Sequence, residues 1–358
     1  MQHGIVTNEP GRFAGWPANN GVWQWGSNEI LVGFSEGAFV EQAGHNIEGK
    51  SDDTPTIKSL LARSTDGGKT WQQEEPSSYV TFRADARPLE HPIEFQAQGF
   101  AMRVIGIGYH GVQNPKGAFY ISTNKGKTWQ GAFSFGALME DPNLKGMVFT
   151  ARTSYLVTGK HSCLLFLSAR SKTNGGGRDK TFCVETTDGG KTFRFLSWIV
   201  PLSDPYRAVM PTVVPLAEGR LLAALRRRNP NDSTMPCWVD CYVSSDNAQT
   251  WQFASRVGET GKENGNPPAL VALKDGRLCC VYGNRTSAKM LLRVSTNRGE
   301  SWSEEQVLRE DFQPDAFKDN DFGYPRMVQI ADGTLVAMYY WATKDAPHQH
   351  IAFTRWKP

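Results

Sequence analysis

Arginines at the ends of apolar runs are the residues here whose chemistry is easiest to read. Leu221 to Leu225 runs into Arg226-Arg227-Arg228, Leu278 to Tyr282 is followed by Arg285, and Tyr155 to Ser168 by Arg170. Guanidinium groups drawn together are costly to desolvate unless they meet carboxylates or an anionic ligand. Comparable positions hold Glu36, His110 and Trp341, and the stretch 37–56 between two apolar runs carries His45, Glu48, Asp52 and Asp53. A long loop on a rigid scaffold is a usual place for function. Proline marks a second set: Gly15-Trp16-Pro17, Val209-Met210-Pro211, Asn266-Pro267-Pro268 and Gly323-Tyr324-Pro325. Proline is tolerated at the first residue of a strand, so these read as strand starts. His and Cys show no metal-ligand spacing, so no metal and no cofactor are expected.

The elements that must position these residues repeat along the chain. Ser64-Thr65-Asp66-Gly67-Gly68-Lys69-Thr70-Trp71 returns around Asn124, Asp188, Asp246 and Asn297, each time closed by Trp or Phe. A nearly fixed period marks a repeat architecture. Within each copy, Asp or Asn bonds the backbone ahead of it and glycine supplies positive φ, which reads as a turn between two strands. Before each turn lies a hairpin pattern: Gly21 to Trp25 with Ile30 to Phe34, Thr212 to Leu216 with Leu221 to Leu225, and Ala269 to Leu273 with Leu278 to Tyr282. Met327 to Ile330 with Leu335 to Tyr339 is a fourth; Ala101 to Tyr109 and Tyr155 to Ser168 follow the plan less regularly. Asp-Gly between apolar runs is a strong hairpin signal.

Six hairpins and five turns leave the last unit one strand short, and Gly4 to Thr7 can supply it. The expected fold is all-β: a six-bladed β-propeller of four-stranded antiparallel blades, one domain over 1–358, its ring closed by the N-terminal strand. Strand direction puts the repeated turns on one face. The opposite face, the mouth, receives the strand starts at Trp16 and Tyr324, the strand exits at Glu36, Arg226 and Arg285, and the loop with His45. Trp16 there suits stacking on a sugar face.

Composition narrows the classes. The 358 residues are 39% hydrophobic and 21% charged, with net charge +3, 11 Trp and 35 Gly. The only basic run is Arg226-Arg227-Arg228, which excludes a nucleic-acid stripe. No stretch of about 18 apolar residues suggests a membrane span. The start, MQHGIVTNEP, lacks an apolar signal core, fitting a cytoplasmic protein or one whose leader has been removed. Cys163, Cys279 and Cys280 sit in apolar strand patterns, as buried free thiols do.

The repeated turns resemble the Asp-box, or bacterial neuraminidase repeat, of the sialidase-like superfamily, where they are structural. This resemblance covers nearly the whole chain and implies an exo-acting glycoside hydrolase that removes a terminal acidic sugar by a retaining mechanism. It implies Tyr324 as nucleophile and Glu263 as its base. It implies Asp52 or Asp53 as general acid, with Arg285 and Arg326 gripping a substrate carboxylate. A glycan is the implied partner. The sequence departs from the family at blade 1, where Gly15 stands in place of a substrate-binding arginine and Arg12 lies out of register. A lyase acting on uronic acids and a sugar-binding propeller without catalysis stay open beside the hydrolase.

Overall fold

In the computed structural model the chain forms six antiparallel sheets around a central axis. The structure describes residues 1–42, 45–48, 57–79, 86–106, 116–150, 152–172, 178–262, 265–314 and 320–358. Blades 4 and 5 follow the four-stranded plan without interruption. Blade 4 is Arg207–Pro215, Leu221–Arg228, Cys237–Ser244 and Gln252–Gly261; blade 5 is Ala269–Ala272, Leu278–Asn284, Lys289–Ser295 and Gln306–Arg309. Blade 6 joins Gly323–Gln329, Leu335–Thr343 and Ala346–Trp356 to the first strand of the chain, Gln2–Thr7. That strand pairs antiparallel with the last one, Gln2 opposite Arg355 and Ile5 opposite Ala352. Among the described residues, helix is confined to single turns at Pro17–Asn20, Gly136–Glu140 and Ala217–Gly219, and no helix is long and apolar enough to cross a membrane.

The inner strands depart from regularity where the chain starts down the axis. In blade 1 the strand is split into Arg12–Gly15 and Gly21–Trp25, both on Glu29–Ala38; in blade 3 it is split into Met147–Phe149 and Tyr155–Val157, both on Cys163–Ser171. Pairing skips between Val209 and Thr212 and between Gly323 and Arg326. Trp16, Met210 and Tyr324, each directly before a proline, adopt left-handed φ of 62°, 57° and 49°. Proline bars the right-handed helical region to the residue before it, and the left-handed region costs a non-glycine residue about 1–2 kcal/mol. The two bulges, and in blade 1 the helical turn Pro17–Asn20 that splits the inner strand, therefore turn Met210, Tyr324 and Trp16 out of the ladder and into one core cluster with Phe13, Val209 and Tyr340.

Blade 2 is built differently from the hairpin pattern expected over Ala101 to Tyr109. Among the described residues it holds three strands, Ala101–Ile105, Ala118–Ser122 and Gln130–Phe133, with no inner partner for Ala101–Ile105. The preceding segment carries Pro88 and Pro92, which cannot donate to a ladder. The inward backbone donors are met by blade 3 side chains instead: the Met102 N–H donates to the Tyr155 hydroxyl (3.3 Å) and the Val104 N–H to Thr153 Oγ1 (3.1 Å).

Burial follows the layered plan of a propeller. Second and third strands are apolar on both faces because each blade packs between two others. Ile30, Val32 and Phe34 of blade 1 meet Val336, Met338 and Tyr340 of blade 6, and Met102 and Phe119 of blade 2 meet Leu165 and Phe182 of blade 3. All six cysteines are buried and unbonded.

The five repeated turns share one hydrogen-bond pattern. In the first, the Thr70 N–H (3.0 Å) and Lys69 N–H (3.0 Å) donate to Asp66 Oδ1, the Thr70 hydroxyl donates to Oδ2 (2.6 Å), and the Gly68 N–H donates to Ser64 Oγ (2.8 Å). Asn124 and Asn297 accept the same backbone bond at 3.0 Å, from Thr128 and Ser301, through a neutral amide oxygen. Burial nudges the Asp66 carboxyl upward, but the bonds from Thr70, Ser64 and Lys69 hold it well below the usual carboxylate range.

Two outcomes are expected. Tyr155→Phe strands the buried Met102 donor and should lower unfolding stability by about 1–3 kcal/mol, read by chemical denaturation. The depressed Asp66 pKa means its stabilisation is present above the unfolded pKa and is lost as pH falls through the folded one. Asp66→Asn should therefore reduce the loss of stability below about pH 4 while leaving neutral stability nearly unchanged, as the native asparagine turns imply; an unaltered acid transition would contradict this.

Candidate functional site

The chemically active side chains gather at the mouth, where blades 4, 5, 6 and 1 meet. Tyr324 is placed by a backbone lock: its N–H donates to Asn266 Oδ1 at 2.8 Å. The preceding Gly323 has φ 103°, and a Cβ there would lie 2.1 Å from the same oxygen, so only glycine fits. The Tyr324 hydroxyl accepts a 2.8 Å hydrogen bond from Arg226 Nη1. Its ring lies between two guanidinium groups, with Arg226 Cζ at 5.6 Å and Arg285 Cζ at 5.8 Å from the centroid.

The charges of these two arginines are treated differently. Arg285 Nη2 donates to Asp321 Oδ1 (3.0 Å) and to the Tyr340 hydroxyl (2.7 Å). Asp321 is 2% exposed and also accepts from Tyr340 (2.5 Å) and His45 Nδ1 (2.8 Å). Burial presses its carboxyl upward, yet His45, Arg285 and the Tyr340 hydroxyl hold it below the usual range. Arg226 is 2% exposed and bonds only neutral atoms, the Tyr324 oxygen and Met210 Sδ at 3.8 Å, with no carboxylate among the described residues. A buried guanidinium without a counter-charge seeks an anion. Strand alternation turns its neighbour Arg227 the other way, onto Asp204 (2.7 Å) and Asp240 (3.4 Å).

The structure thus brings together Tyr324, Arg226, Arg285 and His45, and leaves other expected residues apart. Arg326 is a correction: its Nη2 donates to the carbonyls of Ala18 (2.6 Å) and Thr153 (2.5 Å), away from the Tyr324 cluster. The first paired residue after the bulge at Tyr324-Pro325, it faces the axial cavity instead. Trp16 is a second correction. It is 1% exposed, with Phe13 at 4.9 Å, His45 at 4.9 Å and Tyr340 at 6.2 Å between ring centroids, so it walls the site from beneath and offers no face to a sugar. Glu36 is held by Arg12 at 3.2 Å, and burial raises its pKa against that pairing. Glu263, Asp52 and Asp53 lie outside the described residues. Among the described residues no group of three or more His, Cys, Asp or Glu is placed to hold a metal.

Asp321 and Tyr340 went unnoticed in the sequence. Asp321 sits two residues before the Gly-Tyr-Pro motif, outside any apolar pattern, and Tyr340 looks like one more aromatic in a buried strand. A carboxylate just ahead of a strand start that faces converging arginines was the available signal for the first.

Residues 39–337 match the BNR repeat-like domain. The chain belongs to that family. Its fold is shared with a protein of unknown function from Dyadobacter fermentans, at 17% identity and TM-score 0.73, over 99% of this chain and 97% of that one. It is also shared with a Penicillium chrysogenum α-L-arabinanase complexed with arabinobiose, at 14% identity and TM-score 0.61, over 99% and 98%. A Trypanosoma rangeli sialidase mutant with trans-sialidase activity aligns at 14% identity and TM-score 0.57, over 94% of this chain and 53% of that one. No curated protein matches at the level of sequence. Glycoside hydrolases therefore recur among the structural neighbours of this BNR repeat-like propeller.

Asp321→Ala should remove the counter-charge of a buried arginine and destabilise the fold by about 3–5 kcal/mol, read by chemical denaturation at neutral pH. A loss below about 1 kcal/mol would mean that Arg285 and His45 are solvated rather than held by Asp321.

Proposed function

We propose that the protein is an exo-acting glycoside hydrolase of sialidase-like type that removes a terminal acidic sugar with retention of configuration. One observation carries this reading: the Tyr324 oxygen is held by Arg226, a buried guanidinium with no carboxylate partner among the described residues, beside a second guanidinium neutralised by Asp321. Among the described residues of this cluster, Arg226 and Arg285 against Asp321 leave one positive charge beside Tyr324, which suits one substrate carboxylate. An uncharged phenol is the fitting nucleophile there, because a carboxylate nucleophile is repelled by the carboxylate of the substrate.

In this mechanism the Tyr324 oxygen bonds to the anomeric carbon as the glycosidic C–O bond breaks. Glu263 takes the phenolic proton, and Asp52 or Asp53 protonates the leaving oxygen. Water then displaces tyrosine with the proton flow reversed. Arg226 and Arg285 hold the sugar carboxylate. Tyr324 is 2% exposed, so attack requires its ring to rotate or the groups above it to part. Glycan binding also accords with the arabinobiose held by the Penicillium neighbour.

A lyase acting on uronic acids is the second reading. It is favoured by His45, whose Nδ1 is fixed on Asp321 while its side chain is 31% exposed at the mouth, the arrangement of an oriented proton-transfer group.

Release of free sugar from chromogenic α-sialosides and β-glucuronosides, with an arabinoside as neutral control, tests both. Tyr324→Phe should lower kcat by about 10³-fold or more with KM little changed, since the ring remains and only its oxygen goes. Products with ultraviolet-absorbing unsaturated ends would select the lyase. Turnover of the neutral arabinoside alone, or a Tyr324→Phe variant of full activity, would sink the acidic-sugar hydrolase.

A further inference from the structure

The axis holds a cavity of about 450 Å³ that the mouth chemistry does not use. It lies where blade 2 has no inner strand among the described residues, and its walls come from the inner strands of blades 1, 3, 4 and 6 and from residues 95–100. It belongs to the face that carries the repeated turns. Trp25 ends its strand at the hairpin turn on that face, the Phe95 N–H donates to the Lys160 carbonyl (2.8 Å), and the Gly99 carbonyl accepts from Lys125 of the second turn (2.8 Å). Arg326 is part of its wall.

Arg326 is enclosed by the ring, but its side chain fronts the cavity and so is half-buried. Nη2 spends both hydrogens on the Ala18 and Thr153 carbonyls. Nε is sealed without a partner. Nη1 makes no hydrogen bond and is not sealed, which leaves it to face the cavity. No carboxylate pairs with this guanidinium among the described residues. Burial alone lowers its pKa to about 10, so it stays charged at neutral pH.

The remaining walls suit a polyol. Trp23, Trp25, Phe95 and Tyr155 line the cavity; the first three are 5%, 9% and 3% exposed, so they present ring edges to it, of the kind that packs against sugar C–H groups. Polar groups interrupt it: Gln98 is exposed with no hydrogen bond from its side chain, the Gln24 amide spends only its nitrogen, on the Gln329 carbonyl, and the Thr212 hydroxyl donates to Pro268. A volume of this size is that of a small-molecule site rather than of a single ion.

We propose that this axial cavity is a second ligand site, separate from the mouth, for a small acidic sugar of uronic-acid type whose carboxylate meets Arg326 Nη1 and whose ring lies against Trp23 and Trp25. The inference is independent of any activity at the mouth.

Titration calorimetry of the full chain with glucuronate, with glucose and with sodium chloride tests it. With the mouth disabled by Arg285→Ala, glucuronate should still bind at least tenfold more tightly than glucose, and adding Arg326→Gln should erase that preference. Val213→Phe, which fills the cavity from its blade 4 wall, should abolish binding while leaving the thermal midpoint nearly unchanged. Arg285→Ala, at the mouth, should leave this binding in place. Equal affinity for glucose, displacement of glucuronate by equimolar chloride, or a loss in Arg285→Ala without a loss in Val213→Phe would each overturn the proposal. If either cavity variant fails to fold, a crystal soaked with glucuronate decides: ordered sugar between Arg326 and Trp23 supports the site, and solvent alone refutes it.

Discussion

Closing the ring with the other end of the chain is the constraint on which the mouth depends. Blade 6 lacks an outer strand of its own, and Gln2–Thr7 completes it. This removes an exposed sheet edge. It also fixes blade 6 against blade 1, although their residues lie some three hundred positions apart in the chain. The pairing of His45 with Asp321, the packing of Trp16 on Tyr340 and the bond from Arg326 to the Ala18 carbonyl all cross that seam. A ring that failed to close would therefore lose the site as well as a strand.

Within the closed ring, charge is handled by unequal compensation. Asp321 neutralises Arg285 and orients His45, while among the described residues Arg226 has neutral partners only. Burying a guanidinium in this way costs stability that no carboxylate among the described residues offsets. The same imbalance recurs at Arg326 on the other side of the axis. Strain accompanies charge: the left-handed residues before proline at Trp16, Met210 and Tyr324 line one cluster under the mouth. Such strain persists where surrounding packing over-determines the backbone, as the Asn266 lock does at Tyr324.

Much of this was legible in residues taken alone. Turn chemistry repeated five times, and Asp-Gly between apolar runs, announce blades, because glycine and the Asx side chain act locally. The Pro-marked strand starts pointed to the mouth, and Arg226, Arg285 and Tyr324 do converge there. Arg326 was misplaced because a one-residue bulge redirects every side chain near it, and Trp16 because a helical turn splits the inner strand of blade 1; nothing in Gly-Tyr-Pro or Gly-Trp-Pro declares the sign of φ. Blade 2 misled for another reason. Ala101 to Tyr109 has a strand's composition, but a strand's partner is a tertiary fact, and here side-chain hydroxyls from blade 3 take the place of a ladder.

That substitution has a consequence for how the ring breathes. A ladder bond opens only with its neighbours, whereas an amide closed by one side-chain hydroxyl is released by a single rotamer change. The Met102 and Val104 amides are thus coupled to rotations of Tyr155 and Thr153 rather than to the cooperative opening of a sheet. Local opening at these two amides would therefore not require the sheet of blade 2 to come apart. In blade 5 the inner strand Ala269–Ala272 pairs without a break, so its paired amides open together with their ladder.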